Sequence, residues 1–68
     1  MTLLKCLQTN LRRIRKEQGL TQAQLAESAS VEYKAYQALE AGTANPTLKT
    51  LERLAKALKV HGEELFRR

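Results

Sequence analysis

The chain has no aspartate and no tryptophan, and only one cysteine, one histidine and one proline. A lone cysteine, Cys6, excludes an internal disulfide. It falls within the first expected helix, where a thiol behaves as a small, partly buried apolar side chain. Without aspartate, and with His61 as the sole histidine, Ser-His-Asp chemistry is absent. Cys6 and His61 lie far apart, and no Cys/His cluster has the spacing of a zinc site. Nothing in the residues points to an enzyme, a metal or a cofactor. No apolar run approaches the roughly 20 residues that a membrane span needs. The opening MTLLKCLQTNLRR has neither the long apolar core nor the small-residue cleavage site of an export signal. A free thiol without an export signal makes a cytoplasmic location the expectation.

What is present is short, basic and rich in leucine and alanine. The 68 residues make one domain, 1–68. A chain this short buries only about 60% of its unfolded surface, so dense helix packing or dimerisation must compensate. Aromatics are few and β-branched residues never alternate with polar ones, so the expected class is all-α. Twelve Lys and Arg against seven acids, all Glu, give a net charge of +5. A small basic domain suits a polyanionic partner. The charge is uneven. Residues 1–19 carry +4, residues 20–47 carry −2 and residues 48–68 carry +3.

Helix one is expected from about residue 3 to 18. Leu4, Leu7, Leu11 and Ile14 form one apolar stripe, and Gly19 can end the helix in the left-handed conformation. Thr21 is placed to cap a second helix, from about 22 to 29, that buries Leu25, Ala26 and Ala29. A tight turn leads to a third helix, from about 32 to 41, with Tyr36 and Leu39 inward and Gly42 closing it. Thr43-Ala44-Asn45-Pro46 is a loop. Thr47 caps helix four, whose Leu48, Leu51, Leu54, Ala55 and Leu58 share one face. A last short helix spans about 62 to 66. Glu63 and Glu64 sit in its first turn, where the helix dipole favours negative charge. Two short helices joined by a tight turn, at about residues 22–41, form the unit that places a helix in a DNA major groove.

The physics of that unit can be read residue by residue. Ala26 allows two backbones to approach at the turn, and Val31 plugs the gap behind it. Gln22 opens helix two, where its amide and side chain can meet a phosphate. Helix three turns Glu32, Tyr33, Lys34, Gln37 and Ala38 away from Tyr36 and Leu39. Lys34 can donate to guanine O6 and N7, Gln37 can pair with adenine N6 and N7, and Glu32 can accept from cytosine N4. Tyr33 can stack on a sugar or a thymine methyl, or bond a phosphate.

The pieces LRRIRKEQGLTQAQLAE, LEAGTANPTLKTLERLAKAL and EELF, in this order and spacing, resemble the Xre-like family of Cro/repressor-type helix-turn-helix domains. The resemblance covers about residues 7–66. It implies a compact five-helix fold, with the helix-turn-helix at helices two and three, that binds double-stranded operator DNA as a homodimer. Mapped onto this chain, the base-reading positions are Tyr33, Lys34, Gln37 and Ala38, with Glu32 at the helix start. The phosphate contacts are Thr21, Gln22, Thr43 and Asn45, with Arg12 free to join them. Arg15 late in helix one pairs with Glu40 as a structural ion pair. The terminal apolar pair Leu65 and Phe66 is expected in the dimer interface.

Three positions depart from the family pattern. Ser30 and Lys59 stand where glycine is usual, and Tyr36 stands where Ile or Val is usual, so its hydroxyl needs a partner. The competing reading is a protein-interaction module on the same fold, such as a toxin-binding antitoxin subunit. The acidic balance of residues 20–47 and an exposed Tyr33 favour it.

Overall fold

The computed structural model describes residues 2–68. These form α1 (Leu3–Glu17), α2 (Gln22–Ser28), α3 (Tyr33–Ala41), α4 (Leu48–Leu58) and a closing 3-10 turn (Gly62–Phe66). The expected fifth helix is thus one 3-10 turn, too short to complete an α-helical ladder. No described helix is long and apolar enough to cross a membrane.

Three threonines start helices. Thr2 accepts the Lys5 amide and Thr47 the Thr50 amide, each at 3.1 Å. Thr21 closes a capping box: its hydroxyl accepts from Gln24 N at 3.0 Å, and Gln24 Oε1 accepts from Thr21 N at 2.9 Å. Glu32 precedes α3 as its N-cap residue rather than lying in its first turn, and its side chain caps nothing. Gly42 ends α3 at φ 79°, and a Cβ there would meet Gln8 Oε1 at 2.9 Å. The left-handed backbone favours glycine, and any Cβ would also require the end of the Gln8 side chain to move aside.

The core gathers Leu7, Leu11 and Ile14 from α1, Leu25 and Ala26 from α2, Tyr36 and Leu39 from α3, and Leu54, Ala55 and Leu58 from α4. Leu65 closes it. Helix α1 lies against α3 and the 3-10 turn, and α2 is held between α3 and α4. Two polar side chains lock this arrangement. Asn10, buried in α1, donates to the carbonyls of Leu65 and Arg67 at 3.1 and 2.6 Å. Gln18 donates to the Leu58 carbonyl at 2.7 Å. Sequence reasoning passed over both, because an isolated amide in a helix gives no periodic signal.

The structure corrects three apolar assignments. Leu4 is exposed, and Cys6 is wholly buried on another side of α1, near Asn10, Arg13 and Arg67. Leu48 is 80% exposed, at the margin of the α4 apolar stripe, where it borders Leu51 and Phe66 rather than the core. Leu65 is fully buried within its own chain, under α1, so it has no surface to offer a dimer.

Ser30 and Lys59 adopt the left-handed conformation, at φ 56° and 60°. Each costs about 1–2 kcal/mol relative to glycine. The Ser30 conformation lets Val31 N reach the Ala26 carbonyl at 2.8 Å, which satisfies a carbonyl at the end of α2 and sets the direction of α3. The turn is therefore made without its usual residue.

Candidate nucleic-acid interface

One face of α3 is bolted to the domain and the other is bare. Tyr36, Leu39 and Glu40 are buried. Glu32, Tyr33, Lys34 and Gln37 are exposed and Ala38 is half-buried. The helical period turns Lys34, Gln37 and Ala38 away from Tyr36 and Leu39, while Tyr33, three residues before Tyr36 and seven before Glu40, shares their side and is exposed at the first turn of the helix. Lys34 forms no ion pair among the described residues.

The bolt is a carboxylate held from three helices. Arg15 Nε donates to Glu40 Oε2 at 2.6 Å, and Arg15 Nη2 to Oε1 at 3.0 Å. The remaining end of the guanidinium, Nη1, donates to the Leu20 carbonyl at 2.8 Å. Gln22 Nε2 donates to Glu40 Oε1 at 3.0 Å. The Tyr36 hydroxyl donates to Oε2. Glu40 thus joins α1, α2 and α3, and Tyr36 has found its partner one turn away on its own helix.

The electrostatics follow from this geometry. Burial pushes the Glu40 carboxyl upward, but bonds from Arg15, Tyr36 and Gln22 outweigh it and leave the pKa below its ordinary value. The hydrogen bond to Glu40 raises the Arg15 pKa. Burial, then the neighbouring Glu40 carboxylate, lifts the Tyr36 phenol far above its usual range. All three groups keep one charge state across the physiological range.

The residues assigned to phosphate line the ends of these helices. Thr21 is exposed at the start of α2, its oxygen occupied as acceptor but its hydroxyl hydrogen available. Gln22 is half-buried, its amide shared with Glu40. Thr43 and Asn45 are exposed after α3, and the Thr43 amide donates to the Ala38 carbonyl at 3.0 Å. Arg12 is not free: Nη2 donates to the Glu40 carbonyl at 3.3 Å, and Nε lies 3.9 Å from Glu40 Oε1. Its side chain is still half exposed, toward the same end of α3. Arg13 is likewise engaged, with Glu17 at 3.3 Å and with Asn10 Oδ1. Sequence reasoning missed the sharing of Gln22, since no local pattern links residues 22 and 40.

A short helix, a turn set by one left-handed residue, and a second helix fixed on one face and bare on the other define a helix-turn-helix domain. The chain belongs to the Xre-like, Cro/repressor-type helix-turn-helix family: the family model described as Helix-turn-helix matches residues 11–65. A relative in Methanothermobacter thermautotrophicus, described as an uncharacterized HTH-type transcriptional regulator, is 43% identical over 61 residues, covering 88% of each chain. One of like description in Sinorhizobium fredii is 38% identical over 65 residues, covering 96% of this chain and 84% of its own. The crystal structure of the restriction-modification controller protein C.AhdI from Aeromonas hydrophila superimposes with a TM-score of 0.89. It is 32% identical, with 93% of this chain and 96% of that one covered.

Proposed function

We propose that the chain is a sequence-specific, double-stranded-DNA-binding transcriptional regulator that reads a two-fold operator through the major groove, as a small repressor or autoregulator. The observation that carries this reading is the exposure of Tyr33, Lys34 and Gln37 on a helix that Tyr36, Leu39 and Glu40 anchor to the domain. These side chains make no hydrogen bond among the described residues and are available to base edges. Lys34 reads guanine and Gln37 adenine, with Tyr33 and Ala38 supplying apolar contact and Glu32 flanking them. Thr21, Gln22, Thr43, Asn45 and Arg12 hold the backbone. The transcriptional-regulator relatives and the controller protein support the same reading.

Because the reading unit is slightly acidic, attraction must come from the flanking helices and from polar helix ends. A dimer making about 8–10 phosphate contacts loses affinity with a log-log salt slope of about −7 to −9. Titration of a duplex between low and moderate salt measures it. Absence of any complex at low salt would remove the DNA reading and leave the protein-interaction alternative.

Dimerisation supplies the two-fold symmetry. With Leu65 sealed in the core, the apolar surface near the end of the chain is the groove of Leu48, Leu51 and Phe66, rimmed by Glu52 and Glu63. Pairing of two copies there removes an 80%-exposed leucine from water. Leu48→Glu is expected to weaken self-association at least about 10-fold, since it places a charge in the apolar contact. Sedimentation equilibrium reads this. An unchanged dimer, or a monomeric wild type, would contradict the assignment.

A further inference from the structure

The Tyr36–Glu40–Gln22 chain of hydrogen bonds does more than join helices. We propose that Tyr36 and Glu40 are positioning residues for DNA contact: Tyr36 fixes the Glu40 carboxylate, which holds the Gln22 amide by one N–H and presents the other to a backbone phosphate. This rests on the reading of Gln22 as a phosphate contact.

The stoichiometry supports it. A carboxylate offers about four acceptor directions. Here Oε1 accepts from Arg15 Nη2 and Gln22 Nε2, and Oε2 from Arg15 Nε and the Tyr36 hydroxyl. With its directions filled from three helices, the group cannot rotate, and Glu40 is only 2% exposed. A glutamine amide carries two N–H groups on nitrogen. The 3.0 Å bond to Glu40 uses one of them. A long, half-buried side chain is thereby ordered before DNA arrives, so less freedom is lost on binding.

Tyr36 is the member whose removal loosens this arrangement most selectively. Its ring is fully buried, so its hydroxyl has no alternative to the oxygen it bonds. Without that hydroxyl, Oε2 keeps a single donor, Arg15 Nε, and the carboxylate is held in place by the Arg15 fork alone, with less restraint on the oxygen plane that Gln22 shares. An aliphatic residue at position 36 would fill the core but could not hold the oxygen. The phenylalanine variant isolates the hydroxyl, because it retains the ring.

Phosphate contacts are independent of sequence, so a mixed-sequence duplex of about 30 base pairs is a sufficient probe at low salt. Wild type, Tyr36→Phe, Gln22→Ala and the double variant are titrated well below their melting temperatures, each checked by circular dichroism. Gln22→Ala is expected to weaken binding about 10-fold and Tyr36→Phe about 3-fold to 10-fold. The double variant should bind no more weakly than Gln22→Ala alone, because the hydroxyl acts through that amide. In the free protein, side-chain 15N relaxation of Gln22 should show an ordered amide in wild type and a mobile one in Tyr36→Phe.

Additive losses in the double variant would overturn the proposal. So would a Tyr36→Phe protein that binds like wild type with Gln22 still ordered. A wild-type chain that binds no duplex would overturn the DNA reading and this role with it. Additivity with intact wild-type binding overturns this role alone.

Discussion

Glu40→Ala is expected to unfold or nearly unfold the domain. The substitution strands the buried Arg15 guanidinium and the Tyr36 hydroxyl, and releases Gln22. Removing one partner of a buried, hydrogen-bonded ion pair costs about 3–5 kcal/mol. A chain of this length has a total stability of only about 3–10 kcal/mol. At about 4–8 °C per kcal/mol for a small domain, the melting temperature falls by at least about 12 °C. Thermal melts followed by circular dichroism measure it. A loss below about 1 kcal/mol would mean the pair behaves as an exposed one.

The same carboxylate fixes the sign of the acid response. Its folded pKa lies below the unfolded value, so its contribution is complete above the unfolded value, about pH 4.3, and is lost as pH falls from there through the folded pKa. Stability should therefore decline toward acid, and Glu40→Gln should flatten that decline while lowering stability at neutral pH.

Combined replacement of Lys34 and Gln37 by alanine is expected to abolish discrimination between DNA sequences while leaving the fold intact. Both side chains are exposed and support no packing, so stability should stay within about 0.5 kcal/mol of wild type. Each bidentate base contact contributes about 1–3 kcal/mol of discrimination. Two such contacts in each of two half-sites give the preferred duplex an advantage of at least about 4 kcal/mol, roughly 1,000-fold in Kd. The ratio of Kd values on preferred and scrambled duplexes reads the effect. Retention of most of that ratio by the double variant would move base reading elsewhere, with Tyr33 and Glu32 the next residues to replace.

Helix positions were legible because their signals are local. Thr21 and Thr47 announce α2 and α4 through cap chemistry, and Gly42 announces the end of α3. The spacing of Tyr36 and Leu39 fixes which side of α3 is bare. What the sequence hid depends on contacts between distant segments. Leucine at 65 reads the same whether it faces its own core or a partner, and only the docking of the 3-10 turn under α1 decides it. Leu48 continues the stripe of α4 but sits at its margin, open to solvent beside Leu51 and Phe66. Tyr36 was recognisable as a buried phenol in need of an acceptor. Its partner Glu40 stood four residues on, at the spacing that places two side chains on one helix face. The addition of Gln22 to that pair required the fold. Sharing that amide changes the role of Gln22 from a free surface side chain to one prepared for contact.

The most direct test of the account is a selection of bound duplexes from a random pool with the wild-type chain. The predicted result is an enriched inverted repeat whose half-sites are centred about 34 Å apart, one turn of DNA, with guanine and adenine at the positions facing Lys34 and Gln37. A pool that remains random after repeated rounds, in salt low enough for duplex capture, would contradict the claim that this helix reads DNA.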